Sequence, residues 1–417
     1  MRVMKWSVMA LAVAAGTSQM AVASDQSESK GFVEDSSLSL LARSMYYNRD
    51  ARNGAARPSN ADRRNGYSEE WGASARALFE SGFTQGTVGV GVNAYAGTLF
   101  QLDTGGGRRG VGMFPDNGKD LTIANAAVKA RVSNTVLTYG SQMPALPVLA
   151  YDDGRLLPET FEGTMITSTE IEGLELNVGH FTAQNEMNQS GRDSFGLKSI
   201  DVIGGSYAFT DDLSAAYYYS DLEDFYKRHY GNVNVSLPLS EEQALGFDFN
   251  VYDSDYDNKF GGGDNTIWSL AATYSVGAHA FILAHQRNTG SRGFDYGFGD
   301  GGGSIFLANS FLSDFNQEGE RSWQASYELD FATFGVPGLS FKTAYIWADN
   351  IKTAESGNGK EHEFFNQVKY TVQDGPAKDL SFRLRGSVLR ANSDVNNQYI
   401  TDTNEVRFYV NYPLSVL

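Results

Sequence analysis

Runs of alternating apolar and polar residues fill nearly the whole chain, and the connections between them alternate between short and long. In 37–49, Leu38, Leu40, Ala42 and Tyr46 share one face, while Ser37, Ser39, Arg43, Tyr47 and Arg49 share the other. Trp268, Leu270, Ala272 and Tyr274 repeat the pattern mid-chain. Near the end, Leu380, Phe382, Leu384 and Val388 alternate with Ser381, Arg383, Arg385 and Ser387. Val406, Phe408, Val410 and Tyr412 then alternate with Glu405, Arg407, Tyr409 and Asn411. A period of two is the signature of a strand with unlike faces, and the aromatics ending each apolar face suit a membrane interface.

Short connections fall at 81–84, 133–134, 172–173, 210–212, 240–242, 275–277, 334–338 and 373–379. Long ones span roughly 50–69, 102–120, 143–163, 185–199, 222–228, 254–264, 289–320, 350–360 and 391–402. Nine long loops and eight short turns imply 18 strands, with both chain ends on the short-turn side. Strands of roughly 10–13 residues cross a bilayer when tilted. A soluble sandwich has no reason to sort its connections by length, whereas an outer-membrane barrel does. The expected fold is an all-β transmembrane antiparallel β-barrel in the bacterial outer membrane.

Composition agrees. Arg2 and Lys5 precede an apolar run, 8–15, and Ala21-Val22-Ala23 fits a cleavage site. Residues 1–23 are therefore expected to be a removed signal peptide and 24–417 a single barrel. No later stretch provides about 18 consecutive apolar residues, and the mean hydropathy of −0.34 suits strands with a polar lumen face. The absence of cysteine rules out disulfides and thiolate metal sites, and a net charge of −17 argues against a nucleic-acid partner.

An 18-stranded lumen is wide enough for water, so something must narrow it. The stretch 143–163 carries Pro144, Pro147 and Pro158 and cannot be a central strand. It is also too apolar for solvent, with Leu146, Val148, Leu149, Tyr151, Leu156, Leu157 and Phe161. Loop 289–320 has the same character through Ile305, Phe306, Leu307, Phe311, Leu312 and Phe315. Both are expected to fold inward and constrict the pore.

Parity places Arg43, Arg49, Lys129, Arg131, Lys369, Arg383, Arg385 and Arg407 on lumen faces. They come from the first, fourth and last three strands, which closure makes mostly one wall. Guanidinium groups stay charged and bind carboxylates bidentately, so this row is expected to line the path of anionic solutes. The bland alternative is that each arginine pairs with a lumen carboxylate and only fills space. Tyr151, Asp152, Asp153 and Arg155 in the first constriction loop and Ser310 and Asp314 in the second complete the expected site. Asp152, Asp153, Ser310 and Asp314 are expected to form the electronegative wall facing the row.

Four segments carry a specific resemblance: EDSSLSLLARSMYYNRD (34–50), SGFTQGTVGVGV (81–92), PVLAYDDGRLLPETFEG (147–163) and ERSWQASYELDFATFGVPGL (320–339). In order and content the chain resembles the OprD (Occ) family of substrate-specific outer-membrane porins across nearly its whole mature length. The pattern RLLPxTFxG is met from Arg155 to Gly163. The resemblance implies an 18-stranded barrel with inward loops and an arginine ladder, to which Arg43 and Arg49 correspond. It implies passive uptake of small carboxylate solutes, either amino acids or aromatic and cyclic acids, with no cofactor. It also implies a monomer or loose homotrimer surrounded by outer-membrane lipid and lipopolysaccharide. The chain ends at Leu417 where such barrels commonly end in an aromatic.

Other motifs are weak. The glycine runs at 105–110, 261–265 and 297–304 lack the context of phosphate or calcium loops. His279 and His285 lie roughly 20 Å apart along one strand, too far to share a metal. No nucleophile elbow supports an enzyme. A substrate-selective diffusion channel is the leading reading. A plugged, adhesive barrel acting through its acidic loops is the alternative, and a hydrolase on the barrel rim has almost no sequence support.

Overall fold

The computed structural model describes residues 25–52, 66–103, 106, 108–298, 305–354, 358–396 and 402–416. The expected signal peptide lies outside the described residues. β1 (Ser37–Ala51) pairs antiparallel with β2 (Gly66–Glu80), and the meander continues through β3 (Gly89–Asp103), β4 (Asp120–Val132) and β5 (Thr135–Gln142). Two short strands, β6 (Ala145–Leu146) and β7 (Leu149–Ala150), pair with each other outside the barrel sheet. The wall resumes with β8 (Thr160–Ile171), β9 (Leu174–Asn185), β10 (Ile200–Thr210) and β11 (Leu213–Leu222). It runs on through β12 (Tyr226–Ser240), β13 (Gln243–Tyr256), β14 (Asp264–Val276), β15 (His279–Gly290) and β16 (Arg321–Asp330). The last strands are β17 (Leu339–Ile351), β18 (Gly359–Thr371), β19 (Ser381–Ala391) and β20 (Thr403–Ser415). β20 pairs with β1 from Ser39↔Ser415 to Ala51↔Thr403, which closes the 18-stranded barrel and leaves it no edge.

The expected faces hold. Leu270, Phe281, Trp323, Trp347, Phe364 and Phe408 stand exposed on the outside, an apolar band that only lipid accommodates. His279 and His285 share that outer face, where His285 stacks on Trp323 at 4.1 Å. Two connections differ from expectation. The long loop expected at 222–228 shrinks to three residues, because β11 and β12 pair as far as Leu222↔Tyr226. The turn expected at 81–84 runs to 88, because the N-terminal segment props it open. There the Gln26 amide donates to the Thr84 carbonyl (2.8 Å), Ser29 Oγ to that of Phe83 (2.6 Å) and the Gly82 N–H to that of Phe32 (2.9 Å).

The apolar core sits inside the barrel, between wall and inward loops. Leu146, Val148, Leu149 and Leu307 pack with Phe161, Phe181, Tyr230, Tyr252 and Phe294 on one side. Leu156 and Leu157 pack with Tyr95, Leu99, Met113 and Phe114 on the other. Each fully buried leucine contributes about 1.5–3 kcal/mol, so loop 143–159 is held as firmly as ordinary core. Gly72 permits the approach: a Cβ there would stand 2.6 Å from both Leu156 Cδ1 and Phe114 Cζ.

Candidate functional site: the constriction

The chain leaves the wall after Gln142 because the prolines that follow cannot continue a barrel ladder. β6 and β7 form a minimal hairpin, closed by the Tyr151 N–H on the Pro144 carbonyl (2.9 Å). Glu159 and Asp152 then pinch the tip. The Glu159 N–H bonds the Asp152 carbonyl (2.9 Å), and the Asp152 N–H returns to Glu159 Oε2 (3.1 Å). The Asp152 carboxylate accepts the Gly154 N–H (2.5 Å), so it caps its own turn.

Asp153 corrects an expectation. It does not face the arginine row from across the pore but docks on it. Arg43 holds its carboxylate with Nη1 (3.0 Å) and Nη2 (3.1 Å), and Arg76 Nη1 adds a third bond at 2.6 Å. The same guanidiniums bind loop carbonyls, Arg43 that of Arg155 (2.6 Å) and Arg76 that of Leu156 (2.7 Å). Burial opposes charge on Asp153, but Arg76 and Arg43 outweigh it and hold its carboxyl below the ordinary range. Arg155 stacks over Tyr47 at 5.0 Å and donates to the Val111 carbonyl (3.0 Å). Arg43 is thus a clamp on the loop. Its partner Arg76 was missed in the sequence, although Ser74 and Arg76 alternating with Ala73, Ala75 and Ala77 marks it as lumenal.

The other expected cations separate into groups. Arg49 Nε (2.7 Å) and Arg407 Nε (2.5 Å) both donate to Glu405, which also accepts the Tyr47 hydroxyl (2.9 Å). Lys129 and Arg131 depart from the expected row. They lie toward the periplasmic end around Phe83, at 4.8 and 4.2 Å from its ring, where the N-terminal segment folds back. Arg131 Nε donates to Gln26 Oε1 there (2.8 Å). For Arg43, Arg49 and Arg407 the bland alternative of lumen pairing is therefore the observed one.

Arg383 and Arg385 differ. Among the described residues no carboxylate lies within ion-pair distance of either, and Arg383 Nε is buried without a partner. Aromatic rings support them instead: Arg383 lies 4.0 Å from the Tyr409 ring and Arg385 5.2 Å from that of Phe365. Those rings connect to both loops. The Tyr409 hydroxyl reaches the Gly154 carbonyl (3.4 Å), and Phe365 packs on Phe311 (4.7 Å). Lys369 stands opposite Arg383 in the register and is exposed.

In the second loop, Asp314 accepts from Tyr296 (2.5 Å) and from Ser310 Oγ (2.5 Å), so Ser310 and Asp314 do come together. Burial and the Asp314 carboxylate push the Tyr296 hydroxyl well above its ordinary range. The loop tip is anchored by the Leu312 and Ser313 N–H groups on Glu363 (3.1 and 3.0 Å). The constriction thus has three sides: Arg383 and Arg385 on the wall, the 152–155 tip and the 309–315 tip. Two paired-aromatic guanidiniums with open donors can hold a carboxylate in passing.

Comparison with known proteins agrees with this architecture. Residues 30–416 match the family model described as outer membrane porin, OprD family. The chain is 46% identical to Porin D of Pseudomonas aeruginosa, with 100% of both chains covered. The crystal structure of Acinetobacter baumannii OccAB1 superposes with a TM-score of 0.89 at 38% identity, covering 94% of this chain and 100% of that one. That of Pseudomonas aeruginosa OpdK with vanillate superposes with a TM-score of 0.81 at 29% identity, covering 92% and 100%. A closed 18-stranded barrel, narrowed by its own loops and alike along nearly its full length to channel proteins rather than enzymes, makes this chain a member of the OprD family of outer membrane porins.

Proposed function

We propose that this porin passes small carboxylate-bearing solutes, amino acids or aromatic and cyclic acids, by passive diffusion along a wall whose contact points are Arg383 and Arg385. The observation that carries the reading is that, among the described residues, neither guanidinium has a carboxylate partner beside the constriction, whereas Arg43 is ion-paired with Asp153 and Arg49 and Arg407 share Glu405. A solute carboxylate supplies the missing partner, and Lys369, opposite Arg383 in the register, adds a second cation at that level. Vanillate, named with OpdK, carries such a group, which favours the same chemistry here. Outer-membrane lipid and lipopolysaccharide meet the outward aromatic band, and the barrel acts as a monomer or loose homotrimer.

The test is single-channel current of the purified protein in a planar bilayer while benzoate or an amino acid is titrated in. Carboxylates should interrupt the current, and a neutral amide analogue should not. A charge-assisted bond is worth about 1.5–3 kcal/mol, so Arg385→Gln should weaken the block about ten-fold or more. Equal block by acid and amide, or block unchanged in Arg385→Gln, refutes the selectivity. A silent bilayer from folded protein returns the plugged, adhesive barrel to the front.

A further inference from the structure

Segment 309–320 is held by three carboxyls that no cation meets at ion-pair distance among the described residues. Glu320, immediately before β16, and Glu361 and Glu363 on β18 are all buried to 1% exposure or less. Glu363 takes the Leu312 and Ser313 N–H groups (3.1 and 3.0 Å). Glu361 Oε1 takes Ser313 Oγ (2.6 Å), and Glu320 Oε2 takes the Gln317 N–H (2.8 Å). Two oxygens are left over, Glu320 Oε1 and Glu361 Oε2, both buried with no other donor. The two carboxyl groups lie close enough to interact directly. A pair of carboxyl oxygens can bond only when one carries a proton.

We propose that Glu320 and Glu361 share one proton that holds segment 309–320 against the wall, making them positioning residues of the constriction, with Glu363 as the fixed anchor beside them. Loss of that proton puts a second charge in a closed pocket and drives the segment off the wall, which changes the path past Ser310 and Asp314.

The surroundings give the direction. Asp314 faces both residues from the loop, and Glu363 faces Glu361 from β18, so each adds negative charge. Arg385 and Ser387 on β19 face Glu363. Glu318 is turned away to Lys352 (3.0 Å). Burial first, and then the Glu361 charge, push the Glu320 carboxyl well above the ordinary range. A group raised in this way keeps its proton where an exposed carboxyl has lost it. The clamp therefore holds through that range and fails as pH rises past the group's own ionisation.

This inference rests on the channel reading and not on carboxylate selectivity, so it is measured in simple salt. Single-channel current of the full protein is recorded from about pH 5 to about pH 9, a range spanning raised carboxyl values. The parent should show stable levels at the acid end and a change in current level or added noise toward the alkaline end. Glu361→Gln can donate an amide hydrogen to Glu320 without titrating. It should keep the acid-end current and lose the pH dependence, while Ser313→Ala should move the transition without removing it. Heat-modifiable gel migration verifies that each barrel is folded. A parent current flat across the range overturns the proposal whatever the variants do. So does a folded Glu361→Gln that titrates like the parent.

Discussion

Replacing Asp153 by Asn keeps the size of the side chain and one acceptor but removes the charge that Arg43 and Arg76 share. Those guanidiniums are 7% and 8% exposed, and Asp153 is 34% exposed. Removing one partner of a buried pair costs about 3–5 kcal/mol. Water at the exposed third of Asp153 screens the interaction, and the loop carbonyls remain as acceptors, which leaves about 1–3 kcal/mol. At about 1.4 kcal/mol per ten-fold, the population with the 152–155 tip off the wall rises about five-fold to a hundred-fold. In planar-bilayer recordings this should appear as frequent excursions to a larger current level. Acid should act in the same direction. The folded carboxyl lies below its unfolded value, so its stabilisation is complete above that value of about 4 and is lost as pH falls through the folded one. A folded Asp153→Asn barrel with the parent's levels and dwell times would refute the clamp.

Three further outcomes use the same recordings. Glu405→Gln removes the one carboxylate that Arg49 and Arg407 share, raising the charge of that cluster from +1 to +2. The reversal potential in a salt gradient should then shift toward the anion, and an unchanged or cation-ward value counts against the assignment. Gly72→Val drives a side chain into Leu156 and Phe114. Such overpacking costs about 1–3 kcal/mol, so the larger level of Asp153→Asn should reappear without any charge change. Double substitution of Arg383 and Arg385 by Gln should abolish carboxylate block and lower the current in chloride, while leaving the Arg43–Asp153 loop clamp, and therefore the dwell times, close to the parent's.

Much of the fold was legible in the sequence because a barrel strand writes its environment residue by residue. Trp268, Leu270 and Tyr274 point out and Ser269, Thr273 and Ser275 in, and that alternation carries the assignment of faces along each strand. The inward loops were legible for a related reason: prolines excluded 143–163 from the ladder while its leucines excluded it from water. Parity likewise assigned each cation to a face of its strand. What each one binds was not legible, because a partner can lie far along the chain, as Arg43 and Asp153 do at a separation of 110 residues.

The sequence by itself therefore determined an 18-stranded membrane barrel and the alternation of faces along its strands. The tertiary structure alone decided the charge balance of that lumen. Local periodicity states which side a residue faces, but pairing depends on where a loop comes to rest. Apolar packing at Gly72 brings the first loop to Arg43 and Arg76, and closure of β20 on β1 brings Glu405 to Arg49. Those two long-range events give the neighbouring arginines their carboxylate partners, while among the described residues Arg383 and Arg385 have aromatic rings instead.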